Sequence, residues 1–200
     1  MAQVKLKTLS ESDYLAGEQL PGPRHEYVAG EMFAMAGASK THGTICVNIG
    51  FALKGHLRGS PCRSWMADMK VRVGTATAYY YPDVVVSCAD ADRAPDSPSD
   101  YLQAPSLIVE VLSPSTASTD RREKLLNYRQ LPSLQEYVLV DQERQWVEVY
   151  RRSDDGWLHL MAQAGESVEL QSIGLSISVA DVYEDTEVPV EWEDCGLPAR

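Results

Sequence analysis

Two segments constrain this chain more than any other: Tyr81-Pro82-Asp83-Val84-Val85-Val86-Ser87 and Leu107-Ile108-Val109-Glu110-Val111-Leu112. Both are too apolar and too rich in β-branched residues for a surface element, so each reads as an interior strand. Each also carries one carboxylate. Side chains alternate along a strand, so Asp83 shares a face with Val85 and opens its strand where the mouth of a sheet can expose it. An unpaired ionised carboxylate buried in mid-strand costs several kcal/mol, so Glu110 requires a cation, a hydrogen-bonding partner or a raised pKa. Taken singly, each acid has a structural explanation, a strand-end cap or an ion pair. Together they are more informative, because neighbouring strands lie roughly 4.8 Å apart. That spacing brings both acids within reach of one Mg²⁺ or Mn²⁺, which would offset their repulsion.

The rest of the chain supplies a frame for these strands. A short helix is expected over 9–20, with Ser10 or Ser12 as its cap and Pro21-Gly22-Pro23 as its stop. A strand pair follows over 25–28 and 31–35 around Ala29-Gly30, and a longer helix runs from Ser39 or Thr41 to 57. Strands are expected over 62–66, 69–73, 80–88 and 106–112, then a helix over 119–130 ended by Pro132, then strands over 136–140, 146–151 and 157–162. The order indicates an α/β or α+β fold with one mixed sheet flanked by helices. Segment 89–105, with four aspartates and three prolines, reads as a solvated surface loop, since EF-hand spacing is absent. One domain is expected over 1–183, followed by an acidic tail over 184–200.

Acidic residues outnumber basic ones, 29 to 18, for a net charge of −11, which argues against generic coating of a polyanion. A cation-binding enzyme that engages DNA locally remains compatible with that balance, because its ligands count among the acids. Cys46, Cys62, Cys88 and Cys195 form no CxxC pair and read as free thiols of a reducing cytoplasm. With no apolar stretch of membrane-spanning length, a cytoplasmic protein is expected.

The motifs Glu26-Tyr27-Val28-Ala29-Gly30-Glu31, His42, Tyr81-Pro82-Asp83-Val84-Val85-Val86, Glu110-Val111-Leu112-Ser113-Pro114-Ser115-Thr116, and Asp120 followed by Lys124 and Tyr128 resemble the Uma-type restriction endonuclease family. This family is part of the PD-(D/E)XK nuclease superfamily. The resemblance spans roughly 9–183 and implies a restriction-endonuclease-like mixed central sheet flanked by helices. It departs from the superfamily pattern at Leu112, where a lysine would stand two residues after the second acid. The family implies a replacement from the following helix, and Lys124, four residues after Asp120 on one helical face, is the candidate. Against it, Asp120 and Glu123 also fit a helix-capping pair, which would leave Lys124 a solvated lysine.

The resemblance therefore implies Asp83, Glu110 and the Val111 carbonyl as Mg²⁺ or Mn²⁺ ligands, Lys124 as the group acting on the nucleophilic water, and Glu26 as a further acid of the site. His42 reads as a helix-end or core histidine, and Asp68 as a turn former. The implied activity is metal-dependent hydrolysis of DNA phosphodiester bonds, with DNA and a second copy of the chain as partners. Lys40, Lys54, Arg58, Arg63, Arg121, Arg122 and Arg129 are available to contact phosphates. The competing reading is a catalytically degenerate, homodimeric interaction module on the same fold. A Ser/His/Asp hydrolase lacks its G-x-S-x-G elbow.

Overall fold

The computed structural model describes residues 8–35 and 37–190. Helix α1 (Glu11–Glu18) begins at Ser10, whose Oγ accepts the Asp13 N–H at 3.1 Å, and it buries Tyr14. The hairpin β1 (His25–Val28) and β2 (Glu31–Ala34) turns through Ala29 and Gly30, at φ 49° and 100°. Two successive left-handed residues match the twist of an antiparallel pair. A Cβ on Gly30 would lie 2.7 Å from the Thr8 Cβ, so glycine is also required by close approach. Helix α2 (Lys40–His56) is capped by Ser39, which accepts the His42 N–H at 3.0 Å, and it buries Ile45, Ile49 and Leu53 along one stripe.

The strands form three sheets, where one was expected. One sheet has the order β11-β10-β9-β8-β6-β3, from β3 (Arg63–Met66), β6 (Val84–Ser87), β8 (Leu107–Val111), β9 (Glu136–Val140), β10 (Trp146–Ser153) and β11 (Gly156–Gln163). It is antiparallel except for the parallel pair β8/β9. A second sheet has the order β2-β1-β5-β4-β7, adding β4 (Lys70–Val73), β5 (Ala78–Tyr80) and β7 (Tyr101–Leu102). The hairpin β12 (Ser167–Leu170) and β13 (Leu175–Ser178), followed by the helix Val179–Val182, forms the third unit and was not anticipated.

The strand expected over 80–88 is split between the two larger sheets, β5 in one and β6 in the other. Pro82 at the crossing has no N–H to give to a ladder and fixes its own φ, so neither sheet can continue through it.

The six-stranded sheet buries both faces. On one, Val84, Val86, Val109 and Val138 pack against α2 and the β12/β13 unit. On the other, Val85, Ile108, Tyr137 and Leu139 meet the second sheet and a helix over 117–128, here α3. Each fully buried aliphatic side chain contributes roughly 1.5–3 kcal/mol. Within α3, Ala117–Thr119 and Leu125–Tyr128 are α-helical and Asp120–Lys124 forms a π turn. Asp120 is thus interior to the helix and buried, so it is no N-cap.

Two further expectations are corrected. Cys62 and Cys88 are joined in a disulfide and Cys46 alone is a described free thiol, while Cys195 lies outside the described residues. The β3/β6 register, Arg63↔Ser87, carried one step outward sets Cys62 opposite Cys88, with Cα atoms 4.0 Å apart. The segment 89–105 is not wholly solvated. Asp92 is buried and accepts from Ser87 Oγ at 2.7 Å and Gln103 N–H at 2.8 Å, and Asp100 lies 3.1 Å from Lys70 Nζ. The acidic C-terminal stretch is described to residue 190; there Val188 is buried and Gln145 N–H donates to the Pro189 carbonyl at 3.1 Å. Glu191, Glu193 and Asp194 lie outside the described residues. Among the described residues no helix is long and apolar enough to cross a membrane.

Candidate active site

The crossing from β5 to β6 leaves Asp83 at the end of the six-stranded sheet. The β6/β8 register ends at Val84↔Val109, and one further step sets Asp83 across from Glu110. Strand β8 runs past that last pair, and its Val111 N–H donates to Asp83 Oδ2 at 2.7 Å in place of a ladder carbonyl. By alternation Glu110 points to the same side as Ile108, toward α3 rather than α2.

There it meets Lys124. Lys124 Nζ lies 3.2 Å from Glu110 Oε1, 2.8 Å from Glu26 Oε1 and 3.2 Å from Asp120 Oδ1. Tyr128 donates its hydroxyl to the same Glu110 oxygen at 3.2 Å, and Tyr81 N–H donates to Glu26 Oε1 at 3.2 Å. The Asp120 contact is an ion pair of proximity only: Oδ1 is buried and receives no aligned hydrogen bond. Glu26, His42, Asp83, Glu110, Asp120 and Lys124 all line one cleft of about 380 Å³, together with the backbone at Val111. An apolar cavity of about 20 Å³ between α2 and the sheet contains no polar side chain.

Burial pushes the Glu110 carboxyl well above its usual range; the Lys124 ammonium pulls it back, and Asp120, Asp83 and Glu26 push it up again. Burial alone would lower the Lys124 pKa, but Glu110, Glu26 and Asp120 outweigh it and hold the ammonium charged. Asp83 is also met from α2. His42 Nε2 lies 3.1 Å from Asp83 Oδ2, and this hydrogen bond raises the imidazole pKa against the opposing effect of burial. Cys46 Sγ lies 3.7 Å from His42 Nδ1, and burial, then Asp83 and Glu110, push its thiol up.

The structure thus gathers Asp83, Glu110, Val111, Lys124, Glu26 and Asp120, each singled out in the sequence; His42, read as a helix-end or core histidine, joins them from the first turn of α2, and Cys46 is added. Other candidates lie elsewhere. Asp68 is exposed and 3.4 Å from Arg24 Nε. Arg121 is committed to Glu148 at 2.8 Å, and the Arg129 guanidinium stacks over Tyr150 and Trp157. Arg63 donates to the Ser60 and Cys62 carbonyls.

The fold matches the crystal structure of "a putative nuclease belonging to DUF820" from Anabaena variabilis, with a TM-score of 0.71 and 20% identity, covering 85% of this chain and 96% of that one. The uncharacterized protein slr1290 of Synechocystis sp. is 39% identical over 88% of this chain and 91% of its own length. A second Synechocystis protein, sll1609, is 33% identical over 86% and 96%. Residues 12–180 match the Uma2 family model, described as "Putative restriction endonuclease", and the chain therefore belongs to the Uma2 restriction-endonuclease family.

Proposed function

We propose that this cleft is a Mg²⁺- or Mn²⁺-dependent endonuclease site that hydrolyses DNA phosphodiester bonds. The observation that carries the reading is the convergence of three carboxylates, Glu26, Glu110 and Asp120, on a single ammonium, Lys124, with a fourth, Asp83, lining the same cleft. Hard oxygen donors in excess over cationic partners are what a divalent cation needs. Asp83, Glu110 and the Val111 carbonyl would hold the cation. When bound, it would supply Lewis acidity toward a phosphate oxygen and neutralise charge on the reacting group.

The chain's own residues do the rest. Val111 N–H and His42 fix the Asp83 carboxylate from two sides. Glu26 and Asp120 position Lys124, whose ammonium orients the water and meets the negative charge that grows on the phosphorus centre. Tyr128 anchors Glu110 from below. Lys124 takes the place that Leu112 leaves empty in the linear motif: Leu112 faces the core, and α3 crosses over the end of β8 with its lysine directed at Glu110.

The test is nicking of supercoiled plasmid by the full chain with Mg²⁺, Mn²⁺ or EDTA. Cutting is expected only with metal, and Glu110→Gln is expected to abolish it while the circular dichroism spectrum stays that of the wild type. Cutting in EDTA, or full activity in Glu110→Gln, rejects the assignment. A folded wild type that neither cuts nor melts higher with Mn²⁺ favours the non-catalytic interaction module.

A further inference from the structure

We propose a second metal site, for a thiophilic divalent cation of the Zn²⁺ type, built from His42, Cys46 and Asp83. His42 and Cys46 stand four residues apart on α2 and so share one helical face, the spacing by which a single helix supplies two ligands to one ion. Asp83 arrives from the β5–β6 crossing. One His42 nitrogen, Cys46 Sγ and one Asp83 oxygen lie within 4.8 Å of one another, and the two ring nitrogens face Asp83 Oδ2 at 3.1 Å and Sγ at 3.7 Å respectively. One imidazole nitrogen, one sulfur and one carboxylate oxygen form a mixed set that suits Zn²⁺ or Co²⁺ and is alien to Mg²⁺, which takes oxygen ligands and water.

The surroundings fit a ligand site. The Val111 N–H on Asp83 Oδ2, at 2.7 Å, is the kind of outer hydrogen bond that orients a ligating carboxylate. Cys46 is buried at 8% exposure, whereas His42 and Asp83 line the cleft. An ion bound there would have three protein ligands and a fourth position open to solvent, the pattern of accessible rather than purely structural zinc. On binding, the thiol proton leaves to solvent and the sulfur ligates as thiolate. The site uses neither Glu110 nor Lys124, so it stands apart from the nuclease reading, but sharing Asp83 couples the two.

The experiment is titration of the full chain, as a Cys195→Ser variant with the Cys62–Cys88 disulfide intact, with Co²⁺ alone. One equivalent is expected to bind with a thiolate-to-cobalt charge-transfer band in the near ultraviolet, displaced by Zn²⁺. Cys46→Ser should remove the band, His42→Ala should weaken binding at least about 100-fold, and Glu110→Gln should keep the band even though it stops nicking. No band in the parent, or the same band in Cys46→Ser, overturns the proposal. X-ray absorption of the Zn²⁺-loaded parent needs no ligand variant: one sulfur at about 2.3 Å supports the site, and a shell of oxygen and nitrogen alone overturns it.

Discussion

Glu110 and Glu136 lie on the adjacent parallel strands β8 and β9, and both are buried, at 4% and 0% exposure. Their surroundings differ in kind. Glu136 accepts from Arg151 Nε at 2.7 Å, Gln171 N–H at 3.1 Å, Ser172 N–H at 2.9 Å and Ser172 Oγ at 2.5 Å, pinning the turn between β12 and β13 to the sheet. Glu110 receives Lys124 and Tyr128 on one oxygen, and Lys124 is shared with two further carboxylates. Burial alone therefore does not distinguish the two acids. The balance of partners does: in the proposed site the carboxylates outnumber the one ammonium they share, a balance that a divalent cation would restore.

This contrast can be broken experimentally. Lys124→Met should lower metal-dependent cutting by about 10²–10³-fold, the usual loss on removing a group that meets transition-state charge, as plasmid nicking rates would show. Glu136→Ala should leave the partly buried Arg151 without its carboxylate and the Gln171 and Ser172 N–H groups without their acceptor, and cost roughly 3–5 kcal/mol in urea unfolding, with the Mn²⁺-induced rise in melting temperature preserved. The opposite pattern, a stable Glu136→Ala that cannot respond to metal, would erase the distinction between the two acids. Reduction of the disulfide between Cys62 and Cys88, separated by 26 residues, should cost about 3 kcal/mol through the loop it releases.

A smaller effect sharpens the comparison by pH. Because the Glu110 pKa is raised from 4.5 in the folded chain, the native state binds a proton there that the unfolded state has lost. The resulting stability is complete below pH 4.5 and is lost as pH rises through the folded value. His42, raised from 6.5, contributes with the same sign, its stability complete below that value and lost above it. Melting curves of metal-free protein should show this decline, and Glu110→Gln should flatten it. A decline unchanged in that variant would place the proton elsewhere. The smallest effect belongs to the exposed Arg24–Asp68 pair, where Asp68→Asn should move stability by less than about 0.5 kcal/mol.

Much of the frame was legible without the structure. Helix α2 starts at Ser39 because a hydroxyl cap is a local signal, and β8 and β9 are visible as apolar β-branched runs for the same reason. The β12/β13 hairpin was missed because each of its strands, at 167–170 and 175–178, is only four residues long, too short for its polar and apolar alternation to stand out. The place of His42 and Cys46 was within reach of their four-residue spacing, but nothing in that spacing says that Asp83 lies against the imidazole.

Local sequence determined the two acids, the strands that carry them and the helix that bears Lys124, because periodicity, caps and proline act over a few residues. Tertiary structure alone decided that the chain crosses between sheets at Pro82, that Glu26 and Asp120 close on Lys124, and that Cys62 meets Cys88. These depend on how strands and helices from distant parts of the chain come together, and in the paired strands a one-residue slip would turn Cys62 or Glu110 to the opposite face.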